Sequence, residues 1–202
     1  MADSFKIIGI TLPEPVDGEA GLIELMLREG IGRIHIRKPD ATGAEMEQLI
    51  EAIHPDLRPR LSLHSHHHLA VKFGTGIHLN AAHPTPPEEY QGILSRSCHS
   101  LKELEEWQPL TSYCFLSPVF DSISKTGYTS AFTPQQIASS HNISEKTIAL
   151  GGVTPDRFKV LRQLGFGGAA MLGYLWADRS ETTIIQRIHA AIHHSYQHPL
   201  PV

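Results

Sequence analysis

Short apolar runs alternate with longer segments of helical periodicity along the whole chain. The runs are Lys6–Thr11, Arg33–Ile36, Arg60–Leu63, Gly76–Leu79, Ile93–Cys98, Ser112–Leu116, Thr147–Leu150 and Ala169–Leu172, and each reads as a strand. Between them, GEAGLIELMLREG sets Leu22, Leu25 and Met26 at helical spacing before a glycine stop, and GAEMEQLIEAIH repeats the pattern with Met46, Leu49, Ile50 and Ile53. TPDRFKVLRQLG opens with Thr154 as a cap and Pro155 at the first helical position, and it ends at Gly165. SETTIIQRIHAAIHHS carries Ile184, Ile185, Ile188 and Ile192.

Eight strand–helix alternations in 202 residues predict one (β/α)8 TIM barrel domain spanning residues 1–202, at the lower end of that fold's size range. The rival is an open doubly wound sheet, which usually has fewer strands and a Gly-rich first turn; here that turn is TLPEPVDGEAG. The third and fourth units are the weakest. HHHLAVKFG has room for two helical turns, PPEEYQG is also short, and AAHPTPPEE reads as a surface loop.

Composition narrows the function classes. With 41% hydrophobic residues the chain can bury a core without disulfide staples. A net charge of −4 and the lack of a basic run argue against nucleic acid or anionic lipid as partners. Cys98 and Cys114 are too few and too scattered for a disulfide framework or a zinc ribbon, and read as small core residues of a reducing compartment. MADSFKIIGIT has no positive leader, and no apolar run approaches the ~20 residues of a membrane span. A cytoplasmic protein with no membrane partner is expected.

In a barrel of this kind the chemistry lies at the C-terminal ends of the strands. Those ends carry His35, Arg37 and Lys38; His64 and Ser65; His78, Asn80 and His83; Ser97 and His99; then SPVFDSISKTGY, Gly151 and Gly152, and Gly173. In DSISKTG, the hydroxyls of Ser122 and Ser124 precede Lys125 and Gly127, the donor set that a phosphate oxyanion needs. LGGVTPD and MLGY offer backbone amides at glycines beside a helix start, a second anion site. Arg37 and Lys38 facing Lys125 would repel one another unless an anion sat between them.

At this point RIHIRKPD, GIHLN, SCHSLKELE, SPVFDSISKTGY and IALGGVTPDRFKVLRQLGFGGAAMLGYLW, in order and suitably spaced over nearly the whole chain, resemble blocks of the thiamine-phosphate synthase family and its thiazole tautomerase relatives. The resemblance implies a (β/α)8 barrel that joins hydroxymethylpyrimidine diphosphate to a thiazole phosphate and releases pyrophosphate. It implies that Arg37 and Lys125 hold the diphosphate, with Ser97, Ser122 and Ser124 as hydroxyl donors. His35 stands where the family has a glutamine facing the pyrimidine, and Gly152, Leu172 and Gly173 match the positions that bind the thiazole phosphate.

The departures from the family pattern are specific. Lys38 comes one residue earlier than the family's second cation, which on an extended strand turns it to the opposite face, and Gly173 replaces a serine. The family's Asn-Asp reads His64 and Ser65, and its second metal-binding aspartate falls at His83. The resemblance implies Mg2+ as cofactor, yet serine and imidazole are poor ligands for it.

LSLHSHHHLA then has three readings: a transition-metal site of His64 and His68 at i, i+4 spacing closed by His83; a phosphate-facing rim of partly protonated imidazoles; or a solvated helix start. His64, at the strand end, is the histidine expected to act, together with Arg37 and Lys125.

Small phosphorylated molecules are the expected partners, and a homo-oligomer is left open. A tautomerase of the same family, needing neither diphosphate nor magnesium, is an alternative. It tends to carry a histidine after the sixth strand, where this chain has Pro118, so His35 or His64 would supply the proton transfer. A non-catalytic barrel that binds thiamine phosphates is a third reading, because fold alone does not imply chemistry.

Overall fold

The computed structural model describes residues 5–120 and 132–196. Eight parallel strands close into a barrel in chain order: β1 (Lys6–Ile10), β2 (Arg33–Ile36), β3 (Leu61–Leu63), β4 (Gly76–Leu79), β5 (Leu94–Cys98), β6 (Tyr113–Leu116), β7 (Thr147–Ala149) and β8 (Gly168–Met171). Pairing of Lys6 with Gly168 and of Ile7 with Ala169 joins the last strand to the first. A Cβ at Gly168 would lie 2.4 Å from the Lys6 carbonyl oxygen, so a side chain there would push the closing strands apart.

The helices are α1 (Glu19–Arg28), α2 (Gly43–Glu51), α3 (His68–Phe73), α4 (Leu101–Trp107), α5 (Pro134–Ala138), α6 (Phe158–Gln163), α7 (Gly173–Trp176) and α8 (Glu181–Tyr196). Residues 80–93, between β4 and β5, form turns and no helix, so the fourth unit lacks the helix that regular alternation predicts. Its prolines and its run of polar residues leave no apolar stripe to bury. Two further local expectations are corrected. Arg60 ends a 3-10 turn (Pro55–Arg60) instead of opening a strand. Thr154 has the extended cap backbone, but its hydroxyl caps nothing; a 3-10 turn (Pro155–Arg157) precedes α6. Thr42 at α2 does form a capping box, with Glu45.

Strand alternation divides the core in two. Ile34, Ile36, Leu61, Leu63, Ile77 and Leu79 pack outward with Ile23, Met26, Met46, Ile50, Phe158 and Ile184 of the helices. Cys98 and Cys114, both free and buried, belong to this outer layer. Inside the barrel, Ile8, Ile10, Tyr113, Phe115, Ile148 and Ala170 form a smaller apolar cluster contributed by β1, β6, β7 and β8. The inward positions of β2 to β5 are polar instead: His35, Ser62, His78 and Ser95, all buried. A barrel interior of this kind is apolar on one side and imidazole-lined on the other. Among the described residues, no helix is long and apolar enough to cross a membrane.

Candidate active site

Three imidazoles meet inside the barrel. His35 from β2 and His78 from β4 have no solvent exposure, and His64 follows directly after β3. His35 Nδ1 lies 3.0 Å from His64 Nε2, and its Nε2 lies 2.6 Å from the Tyr113 hydroxyl. His78 Nδ1 is 2.9 Å from Ser95 Oγ and its Nε2 is 2.8 Å from Ser97 Oγ. The His64 ring stacks on His78 at 4.2 Å between centroids, while Phe115 packs on His35 and His78 at 4.6 and 4.8 Å.

This environment decides the charge state. Burial pushes His64 down to about 3, assisted by the positive charge of Arg37. Burial likewise holds His35 and His78 well below the usual imidazole range, with His64 the next contributor for both. His67 is also lowered, by burial and then by His83. The expected rim of partly protonated histidines is therefore corrected for His64 and His67, which are neutral at neutral pH. Water is too scarce around these rings to solvate an imidazolium.

The expected metal triad of His64, His68 and His83 does not assemble either. His64 precedes α3, so helical spacing to His68 does not apply. His68 is exposed, with its ring 6.2 Å from His66, whereas His83 packs on His67 at 5.4 Å. His83 is held there by a turn in which its N–H and that of Ala82 donate to Asn80 Oδ1 at 3.1 and 3.0 Å. Asn80 Nδ2 in turn donates to the His64 carbonyl at 2.8 Å, which pins the end of β3.

Arg37 is exposed at the rim just past β2, and among the described residues its guanidinium has neither an ion-pair nor a hydrogen-bond partner. Its backbone N–H donates to Thr11 Oγ1 at 2.9 Å, fixing the strand end from which it projects. Lys38 is different. Its buried ammonium donates to Glu19 Oε1 at 2.6 Å and to the carbonyls of Leu12 and Glu14 at 2.9 and 2.7 Å. The expectation of Lys38 as a substrate-binding cation is corrected, because three acceptors already take its charge and its donors.

Burial raises the Glu19 carboxyl, and the hydrogen bond and charge of Lys38 oppose that shift. Glu19→Gln keeps an acceptor but strips the countercharge from a buried ammonium. It is expected to cost about 3 kcal/mol, at the lower end for breaking a buried pair, measured by denaturant melts.

The other side of the mouth carries backbone donors. Gly151 and Gly152 have φ of 96° and 60°, and a Cβ at Gly151 would lie 2.8 Å from Pro118 Cβ. Their turn is braced by Arg157, which donates to the Gly152 carbonyl at 2.8 Å and stacks on Phe120 at 4.5 Å. The N–H groups of Gly151, Gly152 and Val153 have no acceptor among the described residues. Leu172 caps the start of α7 and Gly173 is its first residue. Ser97 lies on β5 against His78. Ser122, Ser124 and Lys125 lie outside the described residues.

The residues at the family's acidic positions do not fit magnesium. Ser65 is buried and its hydroxyl has no partner among the described residues, His83 is an exposed imidazole, and neither supplies a carboxylate. The sequence shows His78 only as one of the polar residues at the end of the fourth strand and does not single out Ser95 or Tyr113. Period-two alternation on β4, β5 and β6 points His78, Ser95 and Tyr113 inward and was the available signal.

The model of the thiamine monophosphate synthase family matches residues 9–175. The chain belongs to the thiamine monophosphate synthase family. A solved thiamine phosphate pyrophosphorylase from Bacteroides thetaiotaomicron is 30% identical and superposes with a TM-score of 0.86, covering 96% of this chain and 100% of that one. The thiamine phosphate pyrophosphorylase from Pyrococcus furiosus is 17% identical, with a TM-score of 0.71 over 96% of this chain and 98% of its own, a likeness of fold. The (S)-3-O-geranylgeranylglyceryl phosphate synthase of Thermoplasma acidophilum, 13% identical at a TM-score of 0.62 over 95% and 93% of the two chains, shares the barrel alone. No curated protein sequence matches this chain.

Proposed function

We propose that this family member is a transferase that couples hydroxymethylpyrimidine diphosphate with a thiazole phosphate and releases pyrophosphate. The observation that supports it most directly is the Arg37 guanidinium, which has no ion-pair or hydrogen-bond partner among the described residues, at a barrel mouth where the adjacent Lys38 is neutralised by Glu19. In the reaction, the bond between the pyrimidine methylene and the diphosphate oxygen breaks, and the pair of electrons leaves with the diphosphate. The thiazole nitrogen then donates its lone pair to the methylene carbon. Arg37 stabilises the charge that develops on the leaving oxygen, which lowers the barrier without a covalent intermediate. Lys125, Ser122 and Ser124 take the same task by family resemblance. The amides of Gly151, Gly152 and Val153, which have no acceptor among the described residues, bind the thiazole phosphate.

One observation favours a second reading. His35 and His64 share a hydrogen bond between ring nitrogens, and such a pair can take a proton at one nitrogen and release it at another. A thiazole tautomerase would use that relay and needs no diphosphate. The purified protein is therefore assayed with both phosphorylated substrates, and separately with the thiazole carboxylate phosphate alone. Thiamine phosphate and pyrophosphate in equal amounts support the transferase. Isomerisation of the single substrate assigns the tautomerase, and tight thiamine phosphate binding with no turnover in either assay removes both.

A further inference from the structure

We propose that His35, His64 and His78 form a binding site for one divalent transition metal of the zinc class, inside the barrel and directly below the mouth. The ligating nitrogens of the three rings all lie within 4.8 Å of one another. A tetrahedral zinc with Zn–N bonds of about 2.0–2.1 Å needs its nitrogens roughly 3.3 Å apart. His35 Nδ1 and His64 Nε2, at 3.0 Å, are already close to that spacing, and the third ring has to move inward by a rotation of its side chain.

The surroundings of the rings are those of held ligands. Metal-binding histidines donate their second ring N–H to a fixed acceptor, which sets the tautomer and aims the free lone pair. Ser95 Oγ donates to the Ile77 carbonyl at 3.2 Å, so it accepts from His78 Nδ1–H and leaves His78 Nε2 unprotonated. The Tyr113 hydroxyl can accept from His35 Nε2–H, which leaves His35 Nδ1 free to face His64. Three neutral imidazoles are also the state a metal requires, with no proton to displace at neutral pH. Nitrogen donors select zinc-like metals over magnesium, consistent with the serine and histidine that stand at the acidic positions.

Three ligands leave the fourth position open. Ser97 Oγ, 2.8 Å from His78 Nε2, sits beside that position. Among the described residues, the charged side chains that bear on these rings are Arg33, Arg37 and Arg96, all cations. A dication added among them needs an anion as its fourth ligand, and a phosphate oxygen or hydroxide meets that need. The inference is independent of the transferase reading, whereas a bound metal would take the ring nitrogens that the tautomerase relay uses.

The test uses tag-free, chelator-treated full-length protein titrated with Co2+ and Zn2+. One metal per chain is expected, with the intense visible absorption of four-coordinate Co2+. His64→Gln and His78→Gln should each lose that spectrum and weaken binding by at least 100-fold. The double variant His66→Asn, His68→Asn should keep both; asparagine tolerates the positive φ of 53° at residue 66, and His68 is exposed. X-ray absorption on the zinc-loaded unaltered protein gives a reading independent of variant folding, and should show three imidazole nitrogens at about 2.0–2.1 Å. No stoichiometric binding, a shell dominated by oxygen, or binding lost in the His66, His68 variant and kept in His78→Gln would each overturn the proposal.

Discussion

Between pH 6.5 and 5, chelator-treated protein is expected to lose several kcal/mol of stability and to unfold cooperatively near pH 4 to 5. The cause is the set of buried neutral imidazoles. A histidine in the unfolded chain titrates near 6.5, whereas burial holds His64 at about 3 and His35 and His78 well below the usual range. Below pH ~6.5 the unfolded state therefore binds protons that the native state refuses, and stability falls as pH falls. Their contribution is fully present above the unfolded value and drains away until each ring protonates within the fold. Each such group costs roughly 1.4 kcal/mol per pH unit, so three cost about 4 kcal/mol per unit, against a total stability of ~5–15 kcal/mol for a typical domain. Denaturant melts at pH 7, 6 and 5 measure the slope. His78→Gln removes one titrating ring and should flatten the slope by about a third, even if it lowers stability at pH 7. A change smaller than about 1 kcal/mol between pH 6.5 and 5 would show that the rings accept protons in place.

The period-two strands and the amphipathic helices were legible as a barrel because each strand needs only local alternation to be recognised. The boundaries shifted where neighbours decide them, as at Arg60, which is drawn into a 3-10 turn, and Ile93, which stays exposed. The missing helix of the fourth unit was foreshadowed by the weakness of PPEEYQG. At the site, Arg37 could be placed from its strand end, and so could His64. The partners of His64 could not. Its hydrogen-bonded neighbour His35 is 29 residues away, and Tyr113, which holds the far side of His35, is 78 residues from it. The histidine run drew attention to His68 and His83 by spacing along the chain, whereas the barrel groups His64 with rings from two other strands. Lys38 was misassigned for the opposite reason: its neutralising partner Glu19 lies on α1, and nothing in RKPD reveals it.

Replacing Arg37 by alanine is expected to lower transferase kcat/KM by roughly 10³-fold, the upper range for removing one donor that meets developing charge. That corresponds to about 4 kcal/mol of lost transition-state stabilisation. Stability should change by less than about 0.5 kcal/mol, because the side chain is exposed and its guanidinium has no partner among the described residues. Arg37→Lys should recover part of the rate, since an ammonium keeps the charge but loses the planar fork that grips two phosphate oxygens. Steady-state kinetics on the two variants thus separate charge from geometry. Full turnover in Arg37→Ala, with the protein folded, would mean that the departing diphosphate finds its positive charge elsewhere. The unpaired guanidinium would then have no part in the chemistry.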